Sequence, residues 1–553
     1  MLPPPPATPR VSELQRIIDL PRVGDAGADL SELYRRPGGT QTLRPAQSRA
    51  LAHAAEHGGI LAPVGVGHGK TLICALLPVA VRSARPLLLI PASQRADFGA
   101  QWSVYSAHWH LANGLAVHSY DALSRPDATA MLTGLAPDLI ICDEAHRLSD
   151  QTSTRTRRLA RYLAAHPETM FCALSGSFTS KSVKDYAHLA MWALGERSPL
   201  PRTYHELEVF SLALDTFREL LRLGGPDQRA DARRRLEPLR RAFSAPDVRS
   251  AYRARLTSCP GVVATTDASV DIPIRISTVS PPVPDAVAAQ LAHLEATWTT
   301  PSGEEIEDVL AYARVHRQLS LGFFYRWVWP FNVPDSAWLE ARADWHRELG
   351  TYLPSSREGA DSPHLASVAC AAGSHTVPAT LARAWAAWSR EKDKPTPPTE
   401  CVWVDYFAAL AAVRWAYAQP SPPLVWYEHT AFGLEVARIG GLTFAGVGPE
   451  ADSKLASMRA PVPLVLSVDA HGTGKNLQLW SRQLVTSPSS SGRTWEQLVG
   501  RTHRPGQSAP VVHVDYYAHA PAMRDAVRAA RDDARYIAQT LDTPQKLELA
   551  VFS

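Results

Sequence analysis

The sequence has little cysteine and none of it is arranged for structure. Six cysteines (Cys74, Cys142, Cys172, Cys259, Cys370 and Cys401) are scattered through 553 residues with no C-x-x-C pair. That argues against a zinc-finger or disulfide framework and for a reducing, intracellular compartment. No apolar run approaches the roughly 20 residues of a membrane span. The Pro-rich start, Met1 to Pro9, lacks the apolar core of a secretory signal, so a soluble, cytoplasmic protein without a membrane partner is expected. Charge of one sign is missing too: Lys+Arg 57 against Asp+Glu 54 leaves +3. This excludes a coat that holds nucleic acid by bulk charge, though not a local basic groove. Charged residues, at 20%, are slightly scarce, but a 45% hydrophobic content is that of a globular chain and excludes intrinsic disorder. There is no internal repeat at a short fixed period.

What is present is punctuation and alternation. Proline is abundant, with 45 residues, and marks the breaks. The length suits three to four compact units at roughly 150 residues each. Residues 1–40 read as a tail with a short helix around Val11 to Leu20. Over 41–200, bounded apolar runs at Pro86–Pro91, Asp138–Cys142 and Met170–Leu174 suit buried parallel strands, and Thr71–Arg82 and Thr156–Ala165 suit helices. Strands alternating with helices predict an open α/β sheet. Residues 201–400 read as mainly helical, with an Arg-rich stretch at Asp227–Arg255, a strand pair at Gly261–Thr266 and Ile272–Val279, and an aromatic cluster at Phe323–Trp329. Over 401–553 short apolar runs return at Leu424–Tyr427, Leu464–Val468 and Val511–Val514, before a helix from about Ala522 to Thr540. The predicted fold class is α/β: two parallel-sheet units separated by a helical insertion.

Three segments carry chemistry. Gly67-His68-Gly69-Lys70-Thr71 follows a predicted strand and opens a helix. Glycines let backbone N–H groups close around phosphate oxygens, where the helix N-terminus favours negative charge. Lys70 would then reach the β/γ-phosphates and the Thr71 hydroxyl would ligate Mg²⁺. The general pattern asks for Gly six residues before the lysine, where Val64 stands; a plain Gly-rich turn is the alternative. Asp143-Glu144-Ala145-His146 ends an apolar strand, where α/β sheets bind ligands. Asp143 would hold Mg²⁺ through water and Glu144 would orient the attacking water. Gln497 to Gln507 (QLVGRTHRPGQ) places Arg501 and Arg504 three apart, on one face if the segment is helical. Two guanidiniums there would clamp a γ-phosphate held by the other unit.

With these residues assembled, the chain resembles a superfamily 2 helicase/translocase of the DEAH-box, Swi/Snf-like branch, and is similar to DEAH-box proteins encoded by bacteriophages. GHGKT resembles motif I, DEAH motif II, and Ser175-Gly176-Ser177 motif III. Leu43-Arg44-Pro45-Ala46-Gln47 is similar to the segment whose glutamine reads adenine, Leu89-Ile90-Pro91 with Trp102 resembles motif Ia, and Ser119-Tyr120 the Ib region. His471 to Gln478 resembles the Gly-rich motif V, and Q-x-x-G-R-x-x-R-x-G-Q is the motif VI form of this branch.

The resemblance implies two RecA-like lobes, at 41–200 and 401–553, closing on ATP and Mg²⁺. By that likeness Gln47, Gly67, Gly69, Lys70, Thr71, Gly474 and Gln497 bind nucleotide, and Lys70, Asp143, Glu144, Arg501 and Arg504 are catalytic. His146, Ser175 and Ser177 would couple nucleotide state to a nucleic-acid track through Ser93, Gln94, Ser119, Thr473 and Asn476. The implied activity is ATP-dependent translocation on DNA, duplex rather than single-stranded, without zinc, beside possible replication or recombination proteins. An RNA helicase and an ATP-gated clamp without turnover are the alternatives. Two departures stand out. Ser487–Thr494 replaces the Trp-Asn-Pro element usual before motif VI in remodellers, and Lys475 stands where they carry a small or apolar residue. The Arg-rich stretch fits either an extra DNA surface or a solvated face, and Phe323–Trp329 either base stacking or a packed core.

Overall fold

The structure, a computed structural model, describes residues 12–24, 27–179, 181–216, 225–306, 308–357, 359–472 and 474–553. Among the described residues, five strands come first: β1 (Ile60–Pro63), β2 (Pro86–Ile90), β3 (Ala116–Ser119), β4 (Leu139–Asp143) and β5 (Met170–Ser175). They form one sheet in the order β1-β5-β4-β2-β3, every neighbouring pair parallel. The runs are continuous in apolar residues because both faces are covered. Leu87, Leu89, Ile140 and Phe171 enter one core, while Leu88, Ile90, Ile141 and Cys172 enter the other. Each such side chain contributes about 1.5–3 kcal/mol when fully buried.

Nine strands follow among the described residues: β6 (Ile274–Val279), β7 (Phe323–Trp327), β8 (Thr399–Trp403), β9 (Leu424–Tyr427), β10 (Thr443–Ala445), β11 (Leu464–Ser467), β12 (Arg482–Val485), β13 (Val512–Tyr517) and β14 (Val551–Phe552). All but β7 and β8 build a second parallel sheet, ordered β10-β11-β9-β12-β13-β6-β14. The chain is thus mixed α/β with two parallel sheets. Among the described residues, no helix is long and apolar enough to cross a membrane.

The expected strand pair, the start of the second sheet and the aromatic run are corrected. Gly261–Thr266 and Ile272–Val279 do not pair. Val262 bridges Leu61 in parallel, and Val263 N–H and Thr265 N–H donate to the carbonyls of Leu61 and Pro63. Ile272–Val279 instead supplies β6, registered against β13. The second sheet therefore begins near residue 274, not 401. Phe323–Trp327 is a strand, antiparallel to β8, and Phe323 packs on Trp403 and Phe432 in the second unit's core. The Arg-rich stretch forms helices Pro226–Arg235, Glu237–Ala242 and Val248–Thr257, where Arg240 and Arg241 share Glu237 and Arg234 pairs with Asp231.

Several helices tie the units to each other. Helix Pro521–Leu541 gives Val527, Ala530 and Ala534 to the second core, and Ile537 and Leu541 to the first; Tyr536 Oη donates to Asp215 at 2.9 Å. The helices Ser336–Tyr352, Pro363–Ala371 and Ala379–Glu391 pack around Trp345, Leu349 and Leu381. They are tied to the first unit through Asp361, which bonds Arg158 at 2.7 Å and also pairs with Arg161.

Candidate active site

The loop Val64–Gly69 leaves the carboxyl end of β1 and turns into helix Lys70–Ala80. Gly67 (φ 90°) and Gly69 (φ 75°) occupy the left-handed region, which a side chain disfavours. A Cβ on Gly69 would also fall 2.4 Å from Gln47 Nε2. Gln47 is fully engaged here: its Oε1 accepts from Arg44 N–H at 2.8 Å and its Nε2 donates to Gly69 O at 3.1 Å. It thus clamps the loop to the start of helix Pro45–His57. Lys70 Nζ lies 3.2 Å from Val64 O and 3.5 Å from Glu144.

The strand β4 delivers Asp143 to the same end of the sheet, and Glu144 follows with φ 55° and ψ 48°. A non-glycine residue in that region carries about 1–3 kcal/mol of strain, which clusters at functional sites. Both carboxylates are buried. Burial, with the Glu144 charge beside it, pushes Asp143 well above the usual carboxylate range, against the pull of Lys70. Burial acts on Glu144 too, but Lys70 and His146 overcome it and hold that carboxyl low. His146 Nδ1 lies 3.2 Å from Glu144 and 3.0 Å from Ser175 Oγ. Burial, reinforced by Arg493, lowers its pKa to about 4.

The second unit closes this site. Arg501 and Arg504 both donate to the Lys475 carbonyl, at 3.3 and 3.1 Å. They line a cavity of about 260 Å³ together with Gly67, Gly69, Lys70, Thr71, Asp143 and Glu144. Burial and Arg504 lower the Arg501 pKa to about 10, so it stays charged at neutral pH. A glycine loop, an ammonium, a hydroxyl, two carboxylates and two guanidiniums thus converge from two separate sheets. The arrangement suits a polyphosphate with a divalent cation: donors from both units, and Thr71 and Asp143 as oxygen ligands.

No family model matches the chain, and neither does any curated protein.

The remaining candidates divide. Gly474 and Asn476 line the same cavity, as does Gln94. Ser93 sits half-buried in the turn Ala92–Gln94, and Ser119 is buried at the end of β3. Thr473 lies outside the described residues. Gln497 is corrected: it lines a different cavity with His146 and Arg493, because it shares a helix face with Arg493, four residues earlier. Ser175 and Ser177 join the two, with Ser177 N–H donating to Ser175 Oγ at 3.2 Å.

Several site residues lie outside the expected set. Asp97, Gln101 and Tyr105, on helix Arg95–His108, line the first cavity. Lys475 bridges the units, 3.7 Å from Asp97 and 3.1 Å from Asp452; its unusual place in the Gly-rich segment was the available signal. Arg493 crosses the cleft to Ser177 Oγ at 3.2 Å, from within the segment that departs from the remodeller pattern. The segment after helix Pro521–Leu541 also enters the cleft. Thr543 Oγ1 and Gln545 Nε2 donate to Pro63 O and Gly176 O, and Lys546 Nζ meets His503 Nδ1 at 2.9 Å; short, polar and loop-like, it gave no sequence signal.

Proposed function

We propose that the chain is an ATP-dependent DNA translocase or helicase, its two parallel-sheet units acting as RecA-like lobes that hydrolyse ATP between them and move on DNA, duplex rather than single-stranded. The observation that carries this reading is the meeting of Gly67–Thr71, Asp143 and Glu144 from the first sheet with Arg501 and Arg504 from the second around one cavity. A site split between two units responds to its ligand by closing and to its loss by opening, which makes a motor stroke.

The residues divide the work. The loop amides and Lys70 hold the β/γ-phosphates. Mg²⁺ would be held by Thr71 and Asp143, and supplies neutralisation of phosphate charge when bound. Glu144, kept ionised by Lys70 and His146, is in the state needed to orient an attacking water. Arg501 and Arg504 stabilise charge that develops on the transferred group.

The test is ATP hydrolysis by wild type and Lys70→Ala with no nucleic acid, duplex DNA, single-stranded DNA or RNA. Stimulation by DNA and its loss in Lys70→Ala are expected. Stimulation confined to RNA would make the chain an RNA helicase, and no turnover under any condition would make it an ATP-gated clamp.

A further inference from the structure

A second cavity, of about 370 Å³, opens on the other side of the Asp143–His146 turn. His146 lines it, whereas Asp143 and Glu144 line the first. Its walls come from both units and carry three guanidiniums, Arg147, Arg155 and Arg493, against two carboxylates, Asp150 and Asp469. Arg147 is exposed, and neither it nor Arg155 forms an ion pair among the described residues. The Arg155 Nε is buried without a hydrogen-bond partner.

Where the arginines sit is unusual. Arg155 is the second residue of helix Thr154–Ala165 and Arg493 the second of helix Gly492–Val499, and neither helix has an acidic residue in its first turn. A cation in the first turn opposes the helix dipole, at a cost of about 0.3–1 kcal/mol. An anion between the two helix starts would turn both oppositions into attraction.

We propose that this cavity binds a phosphate of the nucleic-acid backbone, held by Arg147, Arg155 and Arg493 across the two units. The proposal rests on the reading of the chain as a nucleic-acid-driven ATPase. A phosphate ion released from the neighbouring site offers the same chemistry, but a hollow of about 740 Å³ adjoins the cavity, the two sharing Val468, Asp469 and Thr494. Two adjoining hollows suit an extended backbone better than a single ion.

The site is wired to the first cavity. From Arg493 the path runs to Ser177 Oγ (3.2 Å), from the Ser177 amide to Ser175 Oγ (3.2 Å), then to His146 (3.0 Å) and Glu144 (3.2 Å). A backbone phosphate that draws Arg493 toward itself therefore pulls on the residues that orient Glu144. It also draws on both units at a single point, Arg147 and Arg155 from the first and Arg493 from the second.

The test is duplex-DNA affinity by fluorescence anisotropy over a salt series, for wild type, Arg147→Gln, Arg155→Gln, the double variant and Arg155→Lys. The double variant should bind roughly tenfold more weakly, and the slope of log affinity against log salt should fall by about one; Arg155→Lys should keep most of the slope. Thermal unfolding checks each variant, and Arg147→Gln, at an exposed position, carries the test if Arg155→Gln does not fold. Wild-type affinity and slope in both glutamine variants would overturn the proposal. Unchanged DNA affinity with altered inhibition of hydrolysis by added inorganic phosphate would assign the cavity to the released ion and equally overturn it. If wild type hydrolyses ATP yet neither binds nor responds to any nucleic acid, the functional reading itself falls; if wild type binds and the variants bind equally, only this site does.

Discussion

Replacing Gly500 with alanine tests whether closure of the two units sets the rate. Gly500 ends helix Gly492–Val499 and lies directly against Val66 of the glycine loop. A Cβ there would meet Val66 Cγ1 at 2.7 Å and Glu496 O at 2.7 Å, roughly 0.7 Å inside ordinary contact at 3.4 Å. Neither neighbour yields easily. One is a backbone carbonyl, and the other is a β-branched side chain that is 8% exposed and stiff at χ1. Overpacking of this kind costs about 1–3 kcal/mol. Glu496 lies in the helix that Gly500 itself ends, but Val66 belongs to the other unit, and that contact is relieved when the units part by several tenths of an ångström. Arg501 and Arg504 move with Gly500, and a misplacement near 1 Å costs on the order of 100-fold in rate. Steady-state hydrolysis should therefore fall by one to two orders of magnitude. Affinity for a fluorescent ATP analogue should change only a few-fold, because Gly67–Thr71 remain intact. Adding Val66→Ala should restore part of the rate, a coupling that a double-mutant cycle measures. A Gly500→Ala rate within twofold of wild type would refute the closure argument.

Two further perturbations follow from burial and charge. Burial and Glu144 raise the Asp143 pKa to about 7, and the proton must leave before a cation binds. Mg²⁺ affinity, measured by calorimetry, should therefore rise up to tenfold per unit as pH increases toward about 7, then level off; a flat profile from about pH 5 to 8 would contradict this. Asp361→Ala leaves Arg158, only 3% exposed, without its carboxylate partner. Losing one member of a buried pair costs about 3–5 kcal/mol, so denaturant unfolding should show that loss, and a change below about 1 kcal/mol would mean the tie to the first unit is not structural.

Much of the fold was legible where the signal is local. The runs at β2, β4, β5, β9 and β11 could be read because strands buried on both faces need no polar alternation, and helix Pro521–Leu541 because its apolar stripe is long. The failures share a physical cause. The β6 strand alternates in burial along Ile274–Val279, and nothing local tells such a strand which sheet to join, so its sequence neighbour Gly261–Thr266 is the partner that local pattern suggests. The aromatic strand β7 reads as part of a helical region because its partner β8 lies some 70 residues on, and short apolar runs do not by themselves distinguish strand from helix.

The candidate site divides along the same line. Lys70, Thr71, Asp143, Glu144, Arg501 and Arg504 were identifiable from sequence because their chemistry depends on short spacings: a loop that must turn, an acid at a strand end, two arginines three apart. Their meeting in one cavity, the direction of Gln497, and the reach of Arg493 to Ser177 were decided only by the docking of one unit on the other. Side-chain type and local backbone are properties of a segment, whereas which faces oppose each other depends on contacts made hundreds of residues apart, and those exist only once both cores have packed.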